Sequence, residues 1–273
     1  MLIALLIALI GLPLTGHETL TEDSVYSPRL HRVMHYRVLT STPDPSLPPP
    51  PTLVLLHGYT GNHRNWTDLT PLKEIVADRA LTVIMPDGEN SWYVNAVNDS
   101  AGPYEDALLQ DLLPAIGHHI RIDTTRMGIA GLSMGGYGSL VLGLRHPHRF
   151  RFIGALSASL DVPFMIPDLE RNGRGGLKSS LETVFGRDTI FWAAHAPFRL
   201  AAAITKENAP YVYLANGIQD EFALRLTLYR EFADLLRSRG FRYEYHETPG
   251  RHSWEFWAQE IPGVIGRFLA TVH

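Results

Sequence analysis

The chain of 273 residues contains no cysteine. That absence excludes disulfide frameworks, thiolate zinc sites, iron–sulfur clusters and a cysteine nucleophile in one step. Blocks of like charge are missing too: 24 Lys and Arg stand against 28 Asp and Glu, a formal net charge of −4. Nucleic acid and anionic membrane surfaces demand a concentrated basic face, so neither is expected as the main partner. No H-E-x-x-H or similar ligand spacing occurs, and no metal or other cofactor is expected. What is present is an ordinary globular composition, with 45% apolar and 19% charged residues, and 13 histidines that leave histidine chemistry open.

Long apolar runs are scarce. The one strong example is Met1–Gly16, MLIALLIALIGLPLTG, with no Lys or Arg before Arg29. As a helix it would span roughly 24 Å, short of the ~30 Å hydrocarbon core. It is expected to be a signal peptide, making the protein an exported one (periplasmic or secreted) without stable membrane insertion after processing. The alternative is an apolar N-terminal tract arising from a start-site artefact in a cytoplasmic protein. Ser41–Pro51, STPDPSLPPPP, admits neither helix nor central strand, because proline fixes φ and lacks an N–H. It is expected as an extended surface loop. With no repeat and no second linker, residues 17–273 are expected to form one domain.

Leu53–Leu56, Leu81–Met85, Met127–Ala130, Phe152–Leu156 and Tyr211–Ala215 are short, nearly continuous apolar runs. Strands of a parallel sheet read this way, because helices cover both faces. Helical patterns over Trp66–Arg79, Tyr104–His118, Met134–Arg145, Glu221–Ser238 and Trp254–Val272 alternate with them. The prediction is a doubly wound, mostly parallel α/β sheet. Arg32–Leu39 and Arg242–Glu247 add strands, the first in an N-terminal antiparallel pair. Asp161–Ala203 breaks the rhythm, with turn signals at Gly173, Gly175 and Gly176, and is expected as a short insertion over the carboxyl ends of the strands.

Gly131-Leu132-Ser133-Met134-Gly135 satisfies G-x-S-x-G between a predicted strand and a helix rich in small residues. This is the sequence of a nucleophile elbow, in which the serine sits on a strained turn above the sheet. Leu53–Leu56 runs into His57-Gly58-Tyr59, where such a fold places one oxyanion donor. The expected donors are the backbone N–H groups of Tyr59 and Met134. An activated serine needs a histidine base and a carboxylate to fix its tautomer, in the chain order Ser, Asp/Glu, His. Asp220 follows the strand Tyr211–Ala215, with Glu221 and Asp161 as competitors, and His252 lies in a loop before the last helix. Ser133, Asp220 and His252 are therefore the expected catalytic residues. Trp92 and Tyr93, with Phe164, Phe191 and Trp192 of the insertion, are expected to wall the substrate pocket.

Four stretches resemble the esterase D-like family of α/β-hydrolases: Leu55–Trp66 (LLHGYTGNHRNW), Met85–Gly88 (MPDG), Gly131–Gly138 (GLSMGGYG) and Gly250–Trp257 (GRHSWEFW). The first looks most like bacterial tributyrin and acetyl esterase-like members. The family also includes feruloyl esterases, S-formylglutathione hydrolases and mycolyltransferases. The resemblance implies a serine carboxylesterase acting on small-molecule short-chain acyl or aryl esters through an acyl-enzyme. Acyl transfer or (thio)esterase action of the feruloyl or S-formylglutathione type, with the same triad, is the alternative. S-formylglutathione hydrolases usually carry a cysteine soon after the oxyanion motif, and Tyr59-Thr60-Gly61-Asn62 stands there instead.

Overall fold

The computed structural model describes residues 17–42, 46–98, 100–162, 164–166, 169, 175–221 and 226–273. Met1–Gly16, Pro43 and Gly173 lie outside the described residues. The five apolar runs all become strands of one eight-stranded sheet, ordered β1-β2-β4-β3-β5-β6-β7-β8. β1 (His17–Ser27) and β2 (Arg32–Thr42) make an antiparallel hairpin, and β2 runs antiparallel to β4 (Leu81–Pro86). From there the sheet is parallel through β3 (Pro51–Leu56), β5 (Asp123–Leu132), β6 (Phe152–Leu156), β7 (Tyr211–Gly217) and β8 (Tyr243–Thr248).

Every residue of β3, β4 and β6 is buried, because each faces a separate core on either side of the sheet. Val54 and Leu56 enter one core, while Leu53 and Leu55 enter the other, as the two-residue period of a strand requires. β1, HETLTEDSVYS, is a polar edge strand without an apolar run, so its partner β2 is legible in sequence and it is not.

Two predicted helices are broken where proline intervenes. Trp66–Arg79 is two helices, α1 (Asn65–Leu69) and α2 (Leu72–Ala77). Thr70 between them is extended, at φ −139° and ψ 160°, since the ring of Pro71 disfavours a helical residue before it. Tyr104–His118 is α3 (Tyr104–Asp106), a π-helical stretch Ala107–Leu112, and α4 (Leu113–His119). The wide turns precede Pro114, whose missing N–H leaves the Gln110 carbonyl without its α-helical donor. α5 (Met134–Arg145) follows the serine, as expected.

The insertion holds α6 (Gly175–Phe185), α7 (Thr189–Ala194) and α8 (Pro197–Ala203). Gly175 and Gly176, expected as turn residues, lie instead in α6, where an added Cβ would meet nothing within 4 Å. Asp188 caps α7 by accepting the Ile190 N–H at 2.8 Å, and Pro197 sits where a helix's first turn needs no N–H. The last two helices are α9 (Leu226–Ser238), which begins later than the predicted Glu221, and α10 (Trp254–Val272).

Candidate active site

β5 ends at Leu132, α5 begins at Met134, and Ser133 alone makes the turn between them at φ 53°, ψ −114°. A left-handed serine is strained, so the neighbours must hold it. The Ser133 N–H donates to the Leu156 carbonyl at 2.8 Å and its own carbonyl accepts from Tyr137 at 3.0 Å. The flanking glycines are there for space. A Cβ on Gly131 would fall 2.6 Å from the Gly135 backbone, and one on Gly135 would fall 2.5 Å from the His57 carbonyl oxygen. The elbow is thus pressed against the end of β3 by atoms that admit no side chain.

The other two expected residues come from the far side of the sheet. Asp220 follows β7 and is 4% exposed; His252 follows β8. Strand pairing continues past the strand ends: the Ile218 N–H donates to the Thr248 carbonyl and the Gln219 N–H to the Gly250 carbonyl, both at 2.9 Å. The Gln219 side-chain oxygen in return accepts the Gly250 N–H at 2.6 Å. Those three bonds fasten the acid loop to the base loop. His252 Nδ1–H donates to Asp220 Oδ2 at 2.8 Å, and the Ser133 hydroxyl donates to His252 Nε2 at 2.9 Å. The arrangement can carry the serine proton onto a ring whose orientation and tautomer the aspartate sets. Of the competing acids, Glu221 is exposed and Asp161 opens the insertion.

The loop after β3 is anchored by a second histidine. The Gly88 N–H donates to His57 Nε2 at 2.9 Å, so the ring proton lies on Nδ1, which donates to the Gly58 carbonyl at 2.8 Å. The Gly61 N–H reaches the same carbonyl at 3.0 Å. A trans peptide points its C=O and N–H in opposite directions. Fixing the Gly58 oxygen therefore aims the Tyr59 N–H the other way, and Asn90 Oδ1 holds the next N–H, that of Thr60, at 2.8 Å. Tyr93 braces His57 from behind: its hydroxyl accepts the His57 N–H at 3.1 Å and donates to the His57 carbonyl at 3.2 Å. Burial pushes the Tyr93 phenol well up, so it remains a donor.

Beneath the loop lies Asp87, with Oδ1 3.6 Å from His57 Nε2. Burial pushes its carboxyl up, but the neighbouring His57 ring, the Glu89 N–H at 2.9 Å and His63 Nδ1 at 3.2 Å outweigh that and hold it below the usual carboxylate range.

Ser133 and His252 open on a cavity of about 380 Å³. Trp92, an expected wall, lines it, and so do Tyr59, Met165, Leu177, Trp254 and Trp257. Tyr93, Phe191 and Trp192, expected as pocket walls, are not in the lining. Tyr93 is spent on His57, Phe191 packs tilted against His195 with centroids 4.2 Å apart, and Trp192 donates to the Phe185 carbonyl at 3.1 Å. Trp254 and Trp257, which the sequence places in the Gly250–Trp257 motif and in a helix but not in the pocket wall, follow His252 on the first turn of α10, which ties them to the site. Trp257 meets the His252 ring edge-on at 5.1 Å, while its Nε1–H donates to Ser157 Oγ at 3.2 Å.

No group of three or more His, Asp or Glu side chains with metal-binding geometry occurs among the described residues, and no described helix is long and apolar enough to cross a membrane.

A mostly parallel sheet carrying a serine elbow, with a histidine and an aspartate on later loops, defines the α/β-hydrolase class. Within it, a family model, Esterase ("Putative esterase"), matches residues 27–268, and the chain belongs to that family of enzymes acting on ester bonds. It is 29% identical over 224 residues to an acetyl esterase of Caldicellulosiruptor saccharolyticus, covering 78% of this chain and 81% of that one. It is 26% identical over 241 residues to the diacylglycerol acyltransferase/mycolyltransferase Ag85A of Mycobacterium ulcerans, covering 77% and 71%. Among solved structures, FphF, a fluorophosphonate-binding serine hydrolase of Staphylococcus aureus, is similar in fold. Its TM-score is 0.79 at 24% identity, over 93% of this chain and 99% of that one. An S-formylglutathione hydrolase from Agrobacterium tumefaciens gives a TM-score of 0.77 at 20% identity, over 94% and 96%.

Proposed function

We propose that this protein is a serine carboxylesterase that hydrolyses short-chain acyl or aryl esters through an acyl-enzyme. The observation that carries the reading is the unbroken hydrogen-bonded series from Asp220 through His252 to Ser133, opening on a largely apolar cavity. His252 Nε2 takes the Ser133 proton as Oγ attacks the ester carbonyl. The Tyr59 and Met134 N–H groups receive the oxyanion, the second standing on the first turn of α5, where the helix favours negative charge. Protonated His252 then gives its Nε2 proton to the departing alcohol oxygen. Water repeats the attack on the acyl-Ser133 ester, with His252 again taking and returning a proton.

Cavity volume and aromatic walls support a short acyl or aryl group, and the acetyl esterase relative supports the small end of that range. The test is a chain-length series of p-nitrophenyl esters, with methyl ferulate and S-formylglutathione alongside. Short esters are expected to give the highest kcat/KM, and Ser133→Ala to abolish turnover. Near-native turnover in that variant, or no fluorophosphonate adduct on the folded wild type, sinks the reading. Acyl transfer is the second reading, favoured by the mycolyltransferase relative at 26% identity. It predicts that an added acceptor alcohol, rather than water, collects most of the acyl group.

A further inference from the structure

On the other side of the Tyr59 ring from the catalytic cavity lies a second hollow of about 340 Å³. Tyr59 borders both. Its ring lies near-parallel to Trp92 at 6.4 Å and 29°, and its hydroxyl donates to the Gly176 carbonyl at 3.3 Å. Trp92 lines the catalytic cavity, and its Nε1–H donates at 3.4 Å to Ser180 Oγ, which lines the hollow. The Tyr59 side chain is thus the residue common to both linings, with the Trp92–Ser180 and Thr60–Asn90 contacts beside it.

The two spaces differ in chemistry. Met165, Leu177, Trp254 and Trp257 stand beside Thr60, Asn65 and Ser159 in the first, whereas the second, with Ala101, Tyr104 and Val184 in its wall, adds the amide of Asn90 and the hydroxyls of Ser100, Ser179 and Thr183. Its two charges oppose each other, Arg32 Nη1 standing 3.4 Å from Glu89 Oε2, so the hollow suits a neutral group. Arg32 Nε is buried without a hydrogen-bond partner, a donor in want of an oxygen.

We propose that the Tyr59 side chain is the specificity-determining partition of the esterase site, and that the hollow behind it is a subsite for a neutral, hydroxyl- or carbonyl-bearing part of the ester. The proposal rests on the esterase reading above. The loop backbone is held without the ring, by His57 and Gly61 at the Gly58 carbonyl and by Asn90 at the Thr60 N–H. Shortening Tyr59 thus merges the two spaces and keeps the peptide that carries the oxyanion donor.

The experiment compares 4-methoxyphenyl acetate with 4-(2,3-dihydroxypropoxy)phenyl acetate. These esters have matched leaving groups and differ by a diol. The readout is the ratio of kcat/KM, diol over methoxy, in wild type, Tyr59→Phe, Tyr59→Ala and Tyr59→Ala/Arg32→Gln. Any disturbance of the oxyanion N–H affects both esters alike and cancels. In Tyr59→Ala the ratio is expected to rise by about five- to tenfold, the worth of one or two net hydrogen bonds. Tyr59→Phe, which loses only the contact to Gly176, gives a smaller rise, and Arg32→Gln in the double variant removes much of the gain. A ratio within about twofold of wild type in both single variants overturns the proposal. If Tyr59→Ala does not fold, the ratio in Tyr59→Phe decides. Wild-type turnover of the methoxy ester upholds the esterase reading, so an unmoved ratio then counts against the partition alone.

Discussion

His252 and His57 each stand beside an aspartate at the same rim of the sheet, yet their rings are spent in opposite ways. In the first pair, Nδ1–H goes to Asp220 and Nε2 receives the serine hydroxyl. In the second, Nε2 receives a backbone N–H, that of Gly88, and Nδ1–H goes to the Gly58 carbonyl. The same two residue types face a serine hydroxyl in one place, as the proposed mechanism requires, and clamp a peptide in the other. What distinguishes them is the atom facing Nε2: a hydroxyl that can part with its proton, or an amide that cannot. An aspartate near a histidine is therefore weak grounds for assigning catalysis until both ring nitrogens are accounted for.

The contrast can be broken from either end. The largest effect is expected at the first pair, where Ser133→Ala or His252→Ala should lower kcat by about 10⁶, the loss common to triads acting as a unit. Burst kinetics with a p-nitrophenyl ester would measure it. Asp220→Asn should follow, at roughly 10⁴ in kcat with KM little changed, because the amide favours the wrong His252 tautomer. At the second pair, His57→Ala releases the Gly58 carbonyl and should cost up to about 10² in kcat, within what one misaimed oxyanion donor is worth. A loss at His57 as large as that at His252 would erase the distinction drawn between them.

The smallest effect concerns pH. Asp87 has its carboxyl held below the usual range when folded, so the stability it adds is present above the ordinary carboxylate pKa and is lost as pH falls through the lowered folded value. The difference in Tm between wild type and Asp87→Asn should hold from neutral pH down to about 4 and close below it. Esterase activity should fall on acidification too, since His252 must be neutral to accept the serine proton. A profile flat into acid would count against its role as base.

Much of this was legible in the sequence because it depends on local rules. The apolar runs that became β3 to β7 are short and uninterrupted, and the glycines around Ser133 are required by contacts of under 3 Å with backbone. Chain order narrowed the acid and base to residues the fold brings together. The break at Pro71 and the π-helical turns before Pro114 were readable from proline but lost to the apolar period on either side. The pocket wall was misread for a different reason. An aromatic residue in sequence does not say which neighbour absorbs it, and Tyr93, Phe191 and Trp192 were each claimed by a hydrogen bond or a ring within the insertion or the oxyanion loop. His57 is legible as part of the oxyanion loop, but its clamping role is not, since its partners Gly58 and Gly88 are backbone groups that leave no trace in composition.

β8 lies at the edge of the sheet, and all six of its residues are only half-buried. The bonds from Ile218 and Gln219 to Thr248 and Gly250 extend its pairing with β7 into the loops that hold Asp220 and His252. The nucleophile, by contrast, rides on β5 in the middle of the sheet. Marginal strands open locally at less free energy than the whole molecule does. When β8 peels, His252 leaves with it while Asp220 stays with β7 and Ser133 on its elbow. The enzyme should therefore fall silent on warming before it melts, and recover on cooling, with amide exchange at Tyr243–Thr248 marking the same opening.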